Sequence, residues 1–287
     1  MTRCSIIADA EGDAREGTAP PAQRWFLVEH PGPWGKVAFA QSGLGPTAVT
    51  ALDAWGRRHG GRVLLVRRYG RPARDGAPRR WFRADSRPGH ESIRTGTFTR
   101  HDDLAAAVDD PGEPHEGPLH LVCAHGRHDT CCAVRGRPLA AALTAADPGR
   151  TWECSHIGGC RFAPALVLLP HGFVFGGVPA LDAAALVTDY ASGVLDPRWL
   201  RGRSVDPPVV QAAQHHARAA TGAAGLGALR AVSVTGSRSG RWRVELADPG
   251  CVVELAERLV EAGRPLTCAA TSPGRLRVFD LVSLAAA

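Results

Sequence analysis

Short apolar runs alternate with Gly- and Pro-rich punctuation along the chain, and their lengths and periods predict its elements. "RWFLVEH" (24–30) and "RVLLVRR" (62–68) read as strands, with a helix over 47–59 between them, a βαβ-like start. Punctuation follows at 69–78 and 109–118, and "SIRTGTFTRHDDLAAAV" between them predicts a strand and a short helix. "LHLVC" (119–123) is an apolar strand that ends on a cysteine, followed by the polar loop "HGRHDTC". A helix over 132–146 comes next, and Gly136 and Pro138 predict that it becomes regular only after them. "TWECSH" (151–156) alternates like a strand, and "ALVLLP", "HG" and "FVFGGV" predict a strand–turn–strand hairpin over 165–178. A helix over 179–193 follows, with Pro179 at its start.

The order β-loop-α-β-loop-β-β-α over 119–193 is that of a thioredoxin-like unit. Beyond it the pattern predicts α (208–221), β (228–235), β (241–247), α (250–263), β (265–270) and β (276–283). The predicted class is therefore α/β. An N-terminal α/β region (1–110) precedes a thioredoxin-like (βαβ…ββα) domain (111–200), and a small C-terminal α+β module (205–287) follows. No internal repeat and no low-complexity segment is visible in the sequence.

Composition narrows the function classes. The chain has 287 residues, 44% hydrophobic and 22% charged, which is ordinary for a soluble globular protein. No run approaches the roughly 18–20 uncharged apolar residues of a membrane span, and the first residues, "MTRCSIIADAEGDAREG", do not read as a secretory signal. The expected location is the cytoplasm. Net charge is +6, and Lys36 is the only lysine. Arginines crowd Arg57 to Arg83; without a nucleic-acid motif, the stretch reads as a solvated face rather than a patch for nucleic acid or an acidic partner. No G-x-S-x-G, P-loop or complete G-x-G-x-x-G occurs.

Cysteine usage carries the chemistry. Eight cysteines are more than packing needs, and in a reducing compartment a cluster of them points to metal or redox chemistry. Cys4, Cys251 and Cys268 are scattered and read as small core hydrophobes, Cys251 at a helix start and Cys268 in a strand. The other five fall between Cys123 and Cys160. Cys123 lies at a strand end, and Cys132 follows after eight residues where a helix begins. His156 follows the next strand, and Gly158-Gly159 lets the backbone turn so that Cys160 comes beside it. Loops from neighbouring strand ends converge in open α/β sheets, so these four soft donors predict a metal site.

A gap of eight residues is too wide for a zinc knuckle. Iron–sulfur clusters accept looser loops, and histidine replaces cysteine on one iron of Rieske centres. The expected cofactor is a [2Fe–2S] cluster, with Cys123 and Cys132 on one iron and His156 and Cys160 on the other. Cys131 is an alternate to Cys132, and Cys154 reads as a spare ligand or a buried packing thiol. His125, His128 and Asp129, inside the cysteine loop, read as hydrogen-bonding neighbours of the cluster or as solvated loop. Arg127 reads as a docking residue or an exposed one.

"VCAHGRHDTCCAVRG" with "WECSHIGGCRFAP" resembles the sucrase/ferredoxin-like family, as does "GTAP…RWFLVEHPGPWG" (17–35), so the resemblance covers most of the chain. It implies a thioredoxin-like [2Fe–2S] ferredoxin domain, Cys132 rather than Cys131 as ligand, and a C-x8-C…H-x-G-G-H motif. Here Cys160 stands where the second histidine of that motif falls, so the implied ligands are three cysteines and one histidine. The expected function is one-electron transfer or redox sensing with an unidentified reductase or acceptor as partner, an electron carrier rather than a stand-alone enzyme. No paired-carboxylate arrangement suggests a glycosidase. The alternatives are a thioredoxin-related thiol redox protein, although no C-x-x-C occurs, and a structural zinc protein that binds a partner through its arginine-rich face.

Overall fold

The computed structural model describes residues 3–70, 76–237 and 239–286, so part of the Gly/Pro-rich stretch at 69–78 lies outside the described residues. In chain order the elements are α1 (Cys4–Ala10), β1 (Arg24–Glu29), α2 (Ala38–Gln41), α3 (Pro46–His59), β2 (Gly61–Arg67), β3 (Arg79–Asp85), β4 (Ser92–Phe98), α4 (Leu104–Ala107) and β5 (Glu113–Pro114). Then come β6 (Leu119–Cys123), α5 (Thr130–Ala146), β7 (Thr151–Cys154), β8 (Ala165–Leu169), β9 (Phe173–Gly176), α6 (Ala183–Ala191) and β10 (Leu200–Arg203). The last part is α7 (Pro208–Thr221), β11 (Arg230–Gly236), β12 (Arg241–Ala247), β13 (Cys251–Glu261) and β14 (Arg275–Ala286).

A mixed ten-stranded sheet in the order β10-β9-β8-β6-β7-β2-β1-β3-β4-β5 forms the body of the α/β fold. It consists of two units of the same topology. In the first, β1 runs parallel to β2 and antiparallel to β3, which pairs antiparallel with β4. In the second, β6 runs parallel to β7 and antiparallel to β8, which pairs antiparallel with β9. The units meet through their second strands, β2 and β7, which pair antiparallel at Val66↔Cys154 and Arg67↔Glu153. The sequence shows no repeat because topology survives without side-chain identity.

The junction is short and reinforced by polar contacts. Arg67 Nε pairs with the buried Glu153 carboxylate at 2.7 Å, and the Arg67 guanidinium stacks 4.2 Å from the Trp34 ring centroid. The Leu65 N–H donates to Ser155 Oγ at 3.0 Å, and the Ser155 N–H donates back to the Leu65 carbonyl at 2.8 Å.

Both faces of the sheet are covered, so its central strands are buried in runs instead of alternating; β6 and β8 are buried at every residue. Phe26, Val28, Leu65 and Trp81 pack with Ala48, Leu52 and Trp55 of α3, and Val122, Leu166 and Leu168 pack with Leu139 and Leu143 of α5. The opposite face gathers Trp25, Leu27, Leu121, Trp152 and the site cysteines.

Three local expectations are corrected. Residues 79–85 lie in the arginine-rich stretch expected to be a solvated face, yet form the interior strand β3 with Trp81 and Phe82 fully buried. Its arginines find partners at the strand edges, as when Arg83 donates to the Val108 and Asp110 carbonyls. The helix expected over 250–263 is absent and Cys251–Glu261 form the strand β13; Cys251, Val253 and Leu255 alternate inward with period two, and pairing with β14 from Cys251↔Ala286 to Glu261↔Arg275 outweighs the helical preference of Glu, Leu and Ala. The expected strand at 265–270 is a turn region instead. The C-terminal sheet β11-β12-β13-β14 is an antiparallel meander, and α7 buries Val209, Ala213 and Ala217 against Val244, Val253 and Phe279.

Helix α5 is regular from Thr130, six residues earlier than Gly136. Asp129 caps it by accepting the Cys131 N–H at 2.9 Å, and Pro138 forgoes one backbone hydrogen bond inside it. Gly136 serves packing rather than termination: a Cβ there would lie 2.1 Å from the Cys123 carbonyl oxygen. The helix is thus drawn against the end of β6. Gly136→Ala should cost about 1–3 kcal/mol, measured by urea unfolding; an unchanged midpoint would show that the close approach is not needed.

Candidate metal centre

Parallel strands β6 and β7 place Cys123 directly beside Cys154. The chain therefore leaves both strands at the same sheet edge, and the two following loops lie side by side. The first runs into α5, whose opening turn carries Cys131 and Cys132. Consecutive helical residues point about 100° apart, so the two thiols face different surroundings. Cys132 meets Cys123 and His156, with donor atoms all within 4.8 Å of one another. Cys131 turns instead toward Cys4 and Cys268, with sulfur separations of 3.6 and 3.3 Å.

The second loop turns at the glycine pair. Gly158 has φ +123° and Gly159 φ +74°, left-handed values that favour glycine, and a Cβ on Gly159 would lie 2.5 Å from an Arg201 nitrogen. Arg201 is 2% exposed and donates to the Gly158 carbonyl at 2.9 Å. The short turn Cys160–Phe162 follows and buries Cys160. Its Sγ lies 3.7 Å from His156 Nδ1, and Cys132 Sγ lies 4.0 Å from the same nitrogen. Cys123, Cys132, His156 and Cys160 thus gather in one constellation. Cys154 is buried in the core and belongs to none of the donor groups among the described residues.

The N-terminal unit covers this edge. His125 Nε2 bonds the Gly35 carbonyl at 2.7 Å, and its ring meets the Trp34 ring edge-on at 5.7 Å. His128 stacks on His156 with centroids 3.7 Å apart and lies 3.4 Å from the Lys36 carbonyl. Both loop histidines bond backbone carbonyls of segment 35–36, and a His128 ring nitrogen also lies within 4.8 Å of the His156 and Cys160 donor atoms. Asp129 lies within 4.8 Å of Cys132 and Cys160. His156 is half-buried and Arg127 exposed.

The donors influence one another's protonation. Hydrogen bonding from Cys132 is the largest cause of a strong downward shift at Cys123; burial opposes it and His156 adds to it. The Cys132 hydrogen bond also brings Cys160 down to about 7 against burial, with help from His156. Hydrogen bonds with Cys123 and Cys160 in turn raise the Cys132 thiol, as does its burial. Burial works to lower the His156 pKa, yet the Cys123 and Cys160 sulfurs outweigh it and raise it to about 9. Metal-free, the group favours ionisation at Cys123 and Cys160 and a protonated His156 ring, while Cys132 keeps its proton, and a cation binding there displaces the protons that remain. Arg62, Arg161 and Arg201 place positive charge near these sulfurs.

A family model described as sucrase/ferredoxin-like matches residues 16–202. The chain belongs to the sucrase/ferredoxin-like family. The match spans both units of the ten-stranded sheet and includes every donor of the constellation. No curated protein and no solved structure matches the chain. Within this sucrase/ferredoxin-like chain, sequence reading missed Arg201, which braces the glycine pair from β10, and the meeting of Cys4 and Cys268 with Cys131. The adjacent pair Cys131-Cys132 behind the capping residue Asp129 is the signal for that meeting, since a helix cannot aim both thiols at one centre.

In the metal-free protein the His156 ring should titrate near 9, read from its ring resonances by NMR. The raised value means the ring stays charged at neutral pH and loses its proton only as pH climbs through 9. Cys160→Ser should shift that midpoint downward, because burial then meets less opposition. A midpoint at or below the ordinary 6.5 in the unsubstituted protein would contradict the thiolate contacts.

Proposed function

We propose that the chain is a [2Fe–2S] protein working in one-electron transfer or redox sensing, with Cys123, Cys132, His156 and Cys160 as cluster ligands. The observation that carries the reading is the convergence of these four donors, two from each of two adjacent loops, at one sheet edge of a sucrase/ferredoxin-like chain. The order β7-β6-β8-β9, with one parallel and two antiparallel pairings, supports a thioredoxin-like reading of the unit that holds them. When bound, the cluster supplies a one-electron couple. The protein supplies ligands, charge and access.

Three thiolates and a neutral imidazole leave an oxidised [2Fe–2S] centre one negative charge short of the all-cysteine set, which raises its potential. Arg62, Arg161 and Arg201 act in the same direction, since nearby positive charge favours the reduced centre. His156 is the donor nearest solvent and the one that acid can remove. Around it the exposed Lys36, Val37 and Arg127 form a rim suited to an acidic redox partner. Donor separations near 4 Å also suit a single tetrahedral zinc, the second reading.

Anaerobic purification should yield a brown protein with two iron and two sulfide per chain. Cys123→Ser and Cys132→Ser should lose most of the iron, while Cys160→His should keep a cluster with shifted optical spectrum and potential. A colourless protein with zinc at this site would favour the second reading. Iron content untouched by both His156→Ala and Cys160→Ala would remove the site assignment altogether.

A further inference from the structure

Away from these four donors, Cys4, Cys131 and Cys268 form a separate group. Their sulfurs are mutually adjacent, with Cys4–Cys131 at 3.6 Å, Cys4–Cys268 at 3.5 Å and Cys131–Cys268 at 3.3 Å. The residues lie 127 and 137 positions apart in the chain, one at the start of α1, one in the first turn of α5 and one in the loop joining β13 to β14. Asp129 is the fourth member: its Oδ2 lies 4.0 Å from Cys4 Sγ, and all four donors fall within 4.8 Å of one another. Asp129 is 2% exposed, so its carboxylate is desolvated. Each of its oxygens accepts one backbone N–H, from Cys131 at 2.9 Å and from Cys268 at 2.8 Å. A carboxylate oxygen has two lone-pair directions, so one remains on each for an ion.

We propose that Cys4, Cys131 and Cys268 bind a single zinc ion, with the Asp129 carboxylate as fourth ligand, at a site distinct from the Cys123/Cys132/His156/Cys160 centre. A tetrahedral ion with Zn–S bonds of about 2.3 Å separates its sulfurs by about 3.8 Å, close to the spacings seen. Three sulfurs in mutual contact surround one ion, whereas a two-iron cluster divides its ligands into two pairs. Disulfide chemistry suits the trio poorly, because any one bond leaves the third thiol unpaired. Binding replaces three S–H bonds by three Zn–S bonds and releases three protons; zinc changes no oxidation state. Entry is available: a cleft of about 610 Å³, bordered by Arg3, Cys4, Ile7, Thr130 and Cys268, opens beside the group, and Cys268 is exposed.

The role that follows is a staple. The ion joins the N-terminal segment, the helix that carries Cys132, and the β13–β14 loop of the C-terminal sheet. The same loop is already held to the N-terminal segment by Arg264, which pairs at 2.6 Å with both Glu11 and Asp13. Cys131 and Cys132 assign neighbouring positions of one helical turn to two different sites.

Zinc and iron are measured in the purified full-length chain, together with titration by Co²⁺ as an optical probe. One zinc per chain should be held by this group whatever metal fills the other centre. Cys4→Ser and Cys268→Ser should each weaken zinc binding at least tenfold and abolish the tetrahedral cobalt–thiolate spectrum of this site, leaving iron content unchanged. Cys123→Ser should do the reverse. Zinc-edge X-ray absorption of the unsubstituted protein, which needs no variant to fold, should show three sulfurs and one oxygen when the other centre holds iron. Zinc content unaffected by both substitutions, an imidazole in the zinc shell of protein whose other centre holds iron, or a zinc-free protein whose three thiols titrate as free or as a disulfide would overturn the proposal. Loss of iron alone would count against the [2Fe–2S] reading and leave this site standing.

Discussion

Cys123 and Cys154 face each other across a parallel strand pair, so the chain must turn twice at one edge of the sheet. From this constraint the site follows. One turn runs into α5, drawn so close to the end of β6 that only glycine fits at position 136, and its first turn delivers Cys132. The other needs two left-handed residues in succession, Gly158 and Gly159, and delivers His156 and Cys160. Neither loop holds the donor group alone. An antiparallel arrangement of β6 and β7 would send the loops to opposite ends of the sheet.

The pairing of two like units through β2 and β7 adds what a single unit lacks. The first unit carries no comparable donor cluster among its described residues, but it lends segment 34–36, fastened by His125 and His128, as cover for the centre. Burial of this kind is what makes the electrostatics count. In water such sulfurs and an imidazole would interact weakly; in this enclosed edge they shift one another's protonation, and nearby guanidiniums offset the negative charge.

Much of this was legible in the sequence. The apolar runs at 24–30, 62–68, 119–123 and 165–178 correspond to strands of the sheet, and the spacing of Cys123, Cys132, His156 and Cys160, with their strand-end positions and the family resemblance, pointed to one site. The rest was hidden for physical reasons. Strand β3 was masked because its buried Trp81 and Phe82 sit among arginines, of which Arg83 donates to the Val108 and Asp110 carbonyls. Strand β13 was read as a helix because Glu, Leu and Ala favour one locally, and eleven residues of pairing with β14 decide otherwise. Cys4 and Cys268 looked isolated because contacts across well over a hundred positions leave no periodic trace. Arg201 was invisible for the same reason: its purpose depends on a turn formed by residues far from it in the chain.

The proposed centre is a two-iron cluster shared by one imidazole and three thiolates. Pulsed EPR of the dithionite-reduced protein, grown with ¹⁵N-labelled histidine, tests this most directly. A single strongly coupled histidine nitrogen, absent in His156→Ala, is the predicted result. A reduced protein with no such signal, or one whose strongly coupled nitrogen persists without His156, would contradict it.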